Sequence, residues 1–207
     1  MKTAWMCLVL VGLLSMPALA GAGLLVNPSF EVPAFSPGGY AYDPTAPGIG
    51  WTFSGGPYNG SGESYQNAAW GGPAEDGVQY AFLQGMCSIS QGFTLASASP
   101  LSVSFYMQMR PGFAANPIAV YLDGSQIQLF PSAGLSSWTL ETVNFGTLSA
   151  GPHTLAFMGA PPPGYGDIDA LLDNVMLPAA PVPVPSALLL LGPGLAGLLS
   201  VRRRFRK

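Results

Sequence analysis

Between Gly23 and Leu177 no helical period runs through the chain. Short alternating or uniformly apolar runs recur instead, punctuated by Gly, Pro, Asn and Asp. The clearest is Leu101–Arg110. There Leu101, Val103, Phe105, Met107 and Met109 fall on one face, and Ser102, Ser104, Tyr106, Gln108 and Arg110 on the other. The same reasoning predicts strands near Leu24–Asn27, Gln79–Leu83, Ser88–Phe93, Ile118–Leu122, Trp138–Phe145, Thr154–Met158 and Leu172–Leu177. Gly-rich loops are expected across Ser36–Gly72. Asp123-Gly124 supplies the positive φ of a hairpin, and Ser149–Pro152 a tight turn. Short strands, many turns and no fixed repeat predict an all-β fold, a β-sandwich of jelly-roll type, as one domain over 23–177.

The two ends follow other patterns. Met1–Ala20 has a basic start at Lys2, an apolar stretch over Trp5–Leu14 and the small-residue pattern Ala18-Leu19-Ala20, which together read as a secretory signal peptide. At the other end, Pro178–Pro185 is a proline-rich linker and Ser186–Val201 an uncharged apolar segment. Arg202–Lys207 is a basic cluster expected to stay cytoplasmic. As a helix, residues 186–201 reach about 24 Å against a hydrocarbon core of roughly 30 Å, which suits a transient transmembrane anchor.

Charge sharpens this division. Six of the seven basic residues lie in the two end segments. All ten acids lie between them, so the middle carries Arg110 as its only Lys or Arg and a formal charge of −9. Such a body gains nothing from phosphate counterion release, which excludes a nucleic-acid partner. Low charge (8 %) and 27 glycines argue against long helices, while 49 % apolar residues suffice for a core. After signal removal Cys87 is the one cysteine left, read as a small buried hydrophobe.

The tail, with Val182-Pro183-Val184-Pro185 followed by the apolar segment and Arg202, Arg203 and Arg204, resembles the PEP-CTERM sorting signal of Gram-negative bacteria. Val184 stands where the commonest form has glutamate. The resemblance implies an exosortase-type membrane protease as partner and delivery to the cell surface or the exopolysaccharide matrix of a biofilm. The middle opens with Leu25-Val26-Asn27-Pro28-Ser29-Phe30-Glu31 and Gly50-Trp51. It continues with Asp76-Gly77-Val78-Gln79-Tyr80 and Ser88–Phe93, and closes with Leu172-Asp173-Asn174-Val175. This order resembles galactose-binding-domain-like jelly rolls and the xylan- and glucan-binding modules. Pro28 replaces a usual glycine. The resemblance implies carbohydrate binding and a structural Ca2+ ligated by Glu31 and Asp173. The alternative for those two residues is backbone bonding by Asp173-Asn174 and a solvated Glu31.

The row Tyr106, Gln108 and Arg110 offers an aromatic ring, an amide and a guanidinium for a sugar, or a solvated sheet face with Arg110 paired to an acid. Trp70 and Tyr165, in Gly/Pro-rich segments, are candidate projecting aromatics; Trp51 fits a core plug better. Enzymatic chemistry fits poorly: there is no G-x-S-x-G elbow, zinc spacing, P-loop or dinucleotide fingerprint, and His153 is the only histidine. The sequence therefore predicts an exported non-catalytic carbohydrate-binding protein. A structural or adhesive matrix protein is the alternative, and a glycoside hydrolase the poorest fit.

Overall fold

The computed structural model describes residues 23–178 except Tyr58, Tyr165 and Gly166. The signal peptide, the residues of the linker after Pro178, the sorting motif, the apolar segment, the basic tail and Tyr165 lie outside the described residues. Those described form a β-sandwich with no helix among them.

One sheet has the order β1-β4-β5-β13-β7-β11, namely Tyr40–Tyr42, Asn59–Tyr65, Gln79–Gln84, Ile168–Met176, Ser99–Met109 and Thr139–Leu148. Two short strands attach to it: β3 (Gly55–Gly56) on β4 and β8 (Ala114–Ala115), parallel, on β13. The other sheet has the order β10-β9-β12-β6-β2, namely Ser125–Phe130, Ile118–Leu122, Gly151–Gly159, Ser88–Leu95 and Thr52–Phe53.

The core lies between the sheets. Phe105 of β7 meets Phe157 of β12 edge to face at 4.9 Å between ring centroids, and Phe130 of β10 at 5.4 Å. The alternation in β7 holds, with Leu101, Val103, Phe105 and Met107 buried. β5 and residues 168–173 of β13 are buried on both faces, where the loop 66–78 folds over the outer side of their sheet. There Trp70, Tyr80, Phe82 and Leu171 form a second, smaller apolar cluster, flanked by Trp138.

Two expectations are corrected. Residues 24–27 do not form a strand; they are a bend run beside β13, with the Leu24 N–H donating to the Leu177 carbonyl at 2.9 Å. Asn27 sits at φ 51°, which breaks an extended path. Where a strand partner would stand, the Gln91 side-chain amide accepts from the Val26 N–H at 2.6 Å and donates to the Val26 carbonyl at 2.9 Å. Nor is 36–72 only loop, for it holds β1 to β4. Gly62 in β4 is packed so closely that a Cβ would overlap the Ala41 carbonyl oxygen and the Phe82 ring. Glycine there admits a neighbouring strand and a large aromatic, so the strand has no hydrophobic alternation to read.

Candidate functional site

At the C-terminal end of β7 the chain gathers the only arginine of its middle, several aromatics and two acids. Strand pairing sets Gln108 opposite Leu171 and Met109 opposite Ala170, which brings Arg110 to the start of β13. Arg110 Nη1 donates to Asp169 Oδ2 at 2.9 Å and lies 3.4 Å from Asp167 Oδ1. Its Nη2 donates to the Ala69 carbonyl at 2.8 Å. The guanidinium carbon lies 4.4 Å from the Trp70 ring centroid and 3.5 Å from that of Phe113, so two π-faces hold the cation. The acid pairing expected as one reading of Arg110 is thus present, together with an aromatic setting.

Trp70 is corrected as a projecting aromatic. It is 3 % exposed and stacks on Phe82 with centroids 3.9 Å apart and planes 14° from parallel. The rings that reach solvent here are Tyr40, 47 % exposed and edge-on to Trp70 at 6.2 Å, and Phe113, 36 % exposed. Neither was singled out from sequence. Tyr40 sits in the Gly-rich segment read as loop, and Phe113 in a Pro-Gly turn that carries no periodicity. Gln108 is buried and its Nε2 donates to the Ser136 carbonyl at 2.8 Å. Tyr106, opposite Leu140 and Asp173 in the ladder, is half-buried, and its hydroxyl makes no hydrogen bond among the described residues.

Polar bookkeeping around Arg110 is incomplete. Among the described residues six buried side-chain atoms lack a partner, and four of them are Trp70 Nε1, Gln108 Oε1, Arg110 Nε and Asp169 Oδ1. Two donors and two acceptors left open around one cation are what bridging hydroxyls or waters satisfy. Burial pushes the Asp169 carboxyl up to about 6, and Arg110 pulls it back.

Acidic residues elsewhere hold the covering loop. Asp173 Oδ2 accepts the N–H groups of Glu75 and Asp76 at 2.9 and 3.1 Å, and its Oδ1 that of Asn174 at 2.7 Å. Burial pushes Asp173 up to about 7, with those N–H bonds lowering it. Glu31 Oε1 accepts from the N–H groups of Val78 and Gln79, both at 2.8 Å. Gly77 at φ 66° lets Glu31 approach, since a Cβ there would overlap its carboxylate.

The expected calcium pair is therefore corrected. Both Asp173 oxygens face N–H donors, whose hydrogens would point at any cation. The open oxygen belongs to Glu63 in β4, which is fully buried with Oε2 unpartnered. Its Oε1 is 3.5 Å from Asn27 Nδ2, which also donates to the carbonyls of Val32 and Ile49. Burial, and then the charge of Glu31, push Glu63 up to about 9, against the lowering effect of the Asn27 amide. Among the described residues no three His, Cys, Asp or Glu side chains gather as a metal site. Glu63, with one buried oxygen open, and Glu31, whose charge acts on it, are the two acids that stand near each other here.

A groove of about 450 Å³ lies apart from this cluster, lined mainly by apolar side chains including Leu25, Pro28, Val175 and Met176. Cys87 is buried, and desolvation pushes its thiol up to about 12, so it is a packing residue.

No protein-family profile and no curated protein sequence matches the chain. Solved structures do. A family 61 carbohydrate-binding module in complex with β-1,4-galactotriose superposes with a TM-score of 0.51 at 17 % identity, covering 76 % of this chain and 98 % of that one. The family 22 xylan-binding domain from Paenibacillus barcinonensis Xyn10C gives 0.48 at 17 % identity, covering 79 % and 98 %. A family 36 module in complex with calcium and xylotriose gives 0.42 at 16 %, covering 61 % and 92 %. These three structures are carbohydrate-binding modules. At these identities the likeness is one of fold.

Proposed function

We propose that this is an exported, non-catalytic carbohydrate-binding protein whose sugar surface is the Arg110 cluster. The observation that carries the reading is the concentration of unpartnered buried polar atoms beside solvent-facing rings. Trp70 Nε1, Gln108 Oε1, Arg110 Nε and Asp169 Oδ1 lie in the cluster that Tyr40 and Phe113 border. Sugars offer both complements, an apolar C–H face for the rings and hydroxyls that donate and accept. The fold shared with carbohydrate-binding modules supports the same reading.

Tyr106, on the same outer face, extends the polar row, and Tyr165 precedes Asp167 by two positions in the chain. Calcium, when bound, would be held by Glu63 and Glu31 and would neutralise two adjacent carboxylates; it supports the fold and takes no chemical step. The PEP-CTERM-like tail supports a transient membrane anchor, processing by an exosortase-type protease and residence at the cell surface or in the polysaccharide matrix.

A glycan array tests the sugar surface. Wild-type protein is expected to retain a defined set of glycans, and Tyr40→Ala and Phe113→Ala, which remove exposed rings, are expected to lose them. No hit at all, or an unaltered profile in both variants and in Arg110→Ala, would favour a structural or adhesive matrix protein. Mass spectrometry of the secreted form tests the tail: an intact Arg202–Lys207 end contradicts processing.

A further inference from the structure

We infer that this site selects neutral glycans over acidic ones, and that the exposed carboxylate of Asp167 sets the choice. The inference rests on the reading of the Arg110 cluster as a glycan surface. A lone arginine in an acidic body looks at first like a receptor for uronate or sulfate groups. Its geometry says otherwise.

An arginine that binds an anion presents a free edge of its fork. Here Nη1 faces Asp169 at 2.9 Å and Asp167 at 3.4 Å, and Nη2 donates to the Ala69 carbonyl. Nε is buried, and the side chain as a whole is 13 % exposed. The Nη1 hydrogens are taken by two acids, one Nη2 hydrogen by a carbonyl, and Nε lies below the surface, so an incoming carboxylate meets no exposed pair of donors. Two carboxylates on one guanidinium also leave the cluster net negative, and no Lys or second Arg occurs between Thr3 and Val201 to offset it.

Of the two acids, Asp169 is fully buried and Asp167 is 54 % exposed, so Asp167 is the charge a ligand meets. Besides Arg110 at 3.4 Å, uncharged groups hold it in place. The Tyr42 hydroxyl donates to Gln84 Oε1, and Gln84 Nε2 donates to Asp167 Oδ1 at 2.7 Å. The other oxygen, Oδ2, makes no hydrogen bond among the described residues, and it can accept from a sugar hydroxyl. A neutral ligand supplies that hydroxyl. A ligand carboxylate or sulfate meets a fixed like charge, inside the field of a body with formal charge −9.

The test is affinity electrophoresis and calorimetry with neutral galactan and xyloglucan fragments beside oligogalacturonides, at low and high salt. Wild-type protein should bind a neutral probe at least about tenfold more tightly than the charged one at low salt, and the gap should narrow at high salt. In Asp167→Asn the gap should shrink about tenfold, through weaker neutral and stronger acidic binding. Equal or tighter binding of oligogalacturonides by the wild type overturns the selectivity, and an unchanged preference in Asp167→Asn overturns the role of Asp167. Both outcomes leave the glycan reading standing, whereas absence of binding to every probe overturns that reading and the selectivity with it.

Discussion

Replacing Trp70 with alanine separates a buried structural ring from an exposed binding ring. The indole stacks on Phe82 at 3.9 Å, meets Tyr42 edge-on at 5.9 Å and lies under the Arg110 guanidinium at 4.4 Å. Removal of a buried aromatic of this kind costs about 3–5 kcal/mol. The cluster lies beneath a loop that can partly collapse, so the low end, about 3 kcal/mol, is expected. At about 2–4 °C per kcal/mol for a domain of this size, Tm should fall by about 6–12 °C. Trp70→Phe, which keeps a ring over Phe82, should recover roughly half of the loss. Thermal and urea unfolding followed by far-ultraviolet circular dichroism measure both variants. A loss below about 0.5 kcal/mol for Trp70→Ala, in the range of ordinary surface substitutions, would refute the packing account and return Trp70 to solvent.

Stability should rise as pH falls from 8 toward 5. Asp169 is raised to about 6 in the folded protein, so its contribution is complete below the ordinary carboxylate range and is lost as pH rises through about 6. His153 acts in the same direction. Its Nδ1 lies 2.7 Å from Asp123 Oδ2 and its Nε2 3.0 Å from the Ser149 carbonyl, an arrangement only the imidazolium satisfies at both nitrogens, and the bond to Asp123 foremost raises its pKa. A Tm profile against pH should flatten in Asp169→Asn and, separately, in His153→Gln; a wild-type Tm higher at pH 8 than at pH 5 contradicts both assignments. If Glu63 and Glu31 hold calcium, chelation lowers Tm in the wild type and leaves Glu63→Gln unmoved. An unmoved wild type means Glu63 is simply a protonated buried acid. Gln91→Leu removes two hydrogen bonds to Val26 and exposes that segment's backbone to desolvation, a loss of about 2–4 kcal/mol readable in urea unfolding.

The alternation of Leu101–Met109 and the Asp-Gly hairpin carried the sandwich legibly, because burial on one face imposes a period of two. β4 was illegible for the opposite reason. Its sequence, Asn-Gly-Ser-Gly-Glu-Ser-Tyr, is set by how closely β1 and Phe82 approach, and small and polar residues there look like loop. The opening segment failed differently, since a side chain, Gln91, does the pairing that a strand usually does. At the site, Gln108 and Arg110 are singled out on the outer face of the alternating run 101–110. Nothing in the sequence placed Asp167, Asp169, Tyr40 and Phe113 beside one another, since loops converge through sheet order rather than local pattern. Glu31 and Asp173 read from the sequence as calcium ligands, with backbone bonding by Asp173-Asn174 as the alternative; the N–H groups of Glu75, Asp76, Val78 and Gln79 that use their oxygens have no signal there.

The most direct measurement is a nitrogen-15 NMR titration of the protein with the tightest-binding neutral oligosaccharide, following the Trp70 indole N–H and the Arg110 Nε–H. Both donors lack an acceptor among the described residues. Both resonances are expected to shift and saturate together with those of Tyr40 and Phe113. Saturable binding that leaves all four unmoved, with shifts gathered instead around Pro28 and Met176, would contradict it.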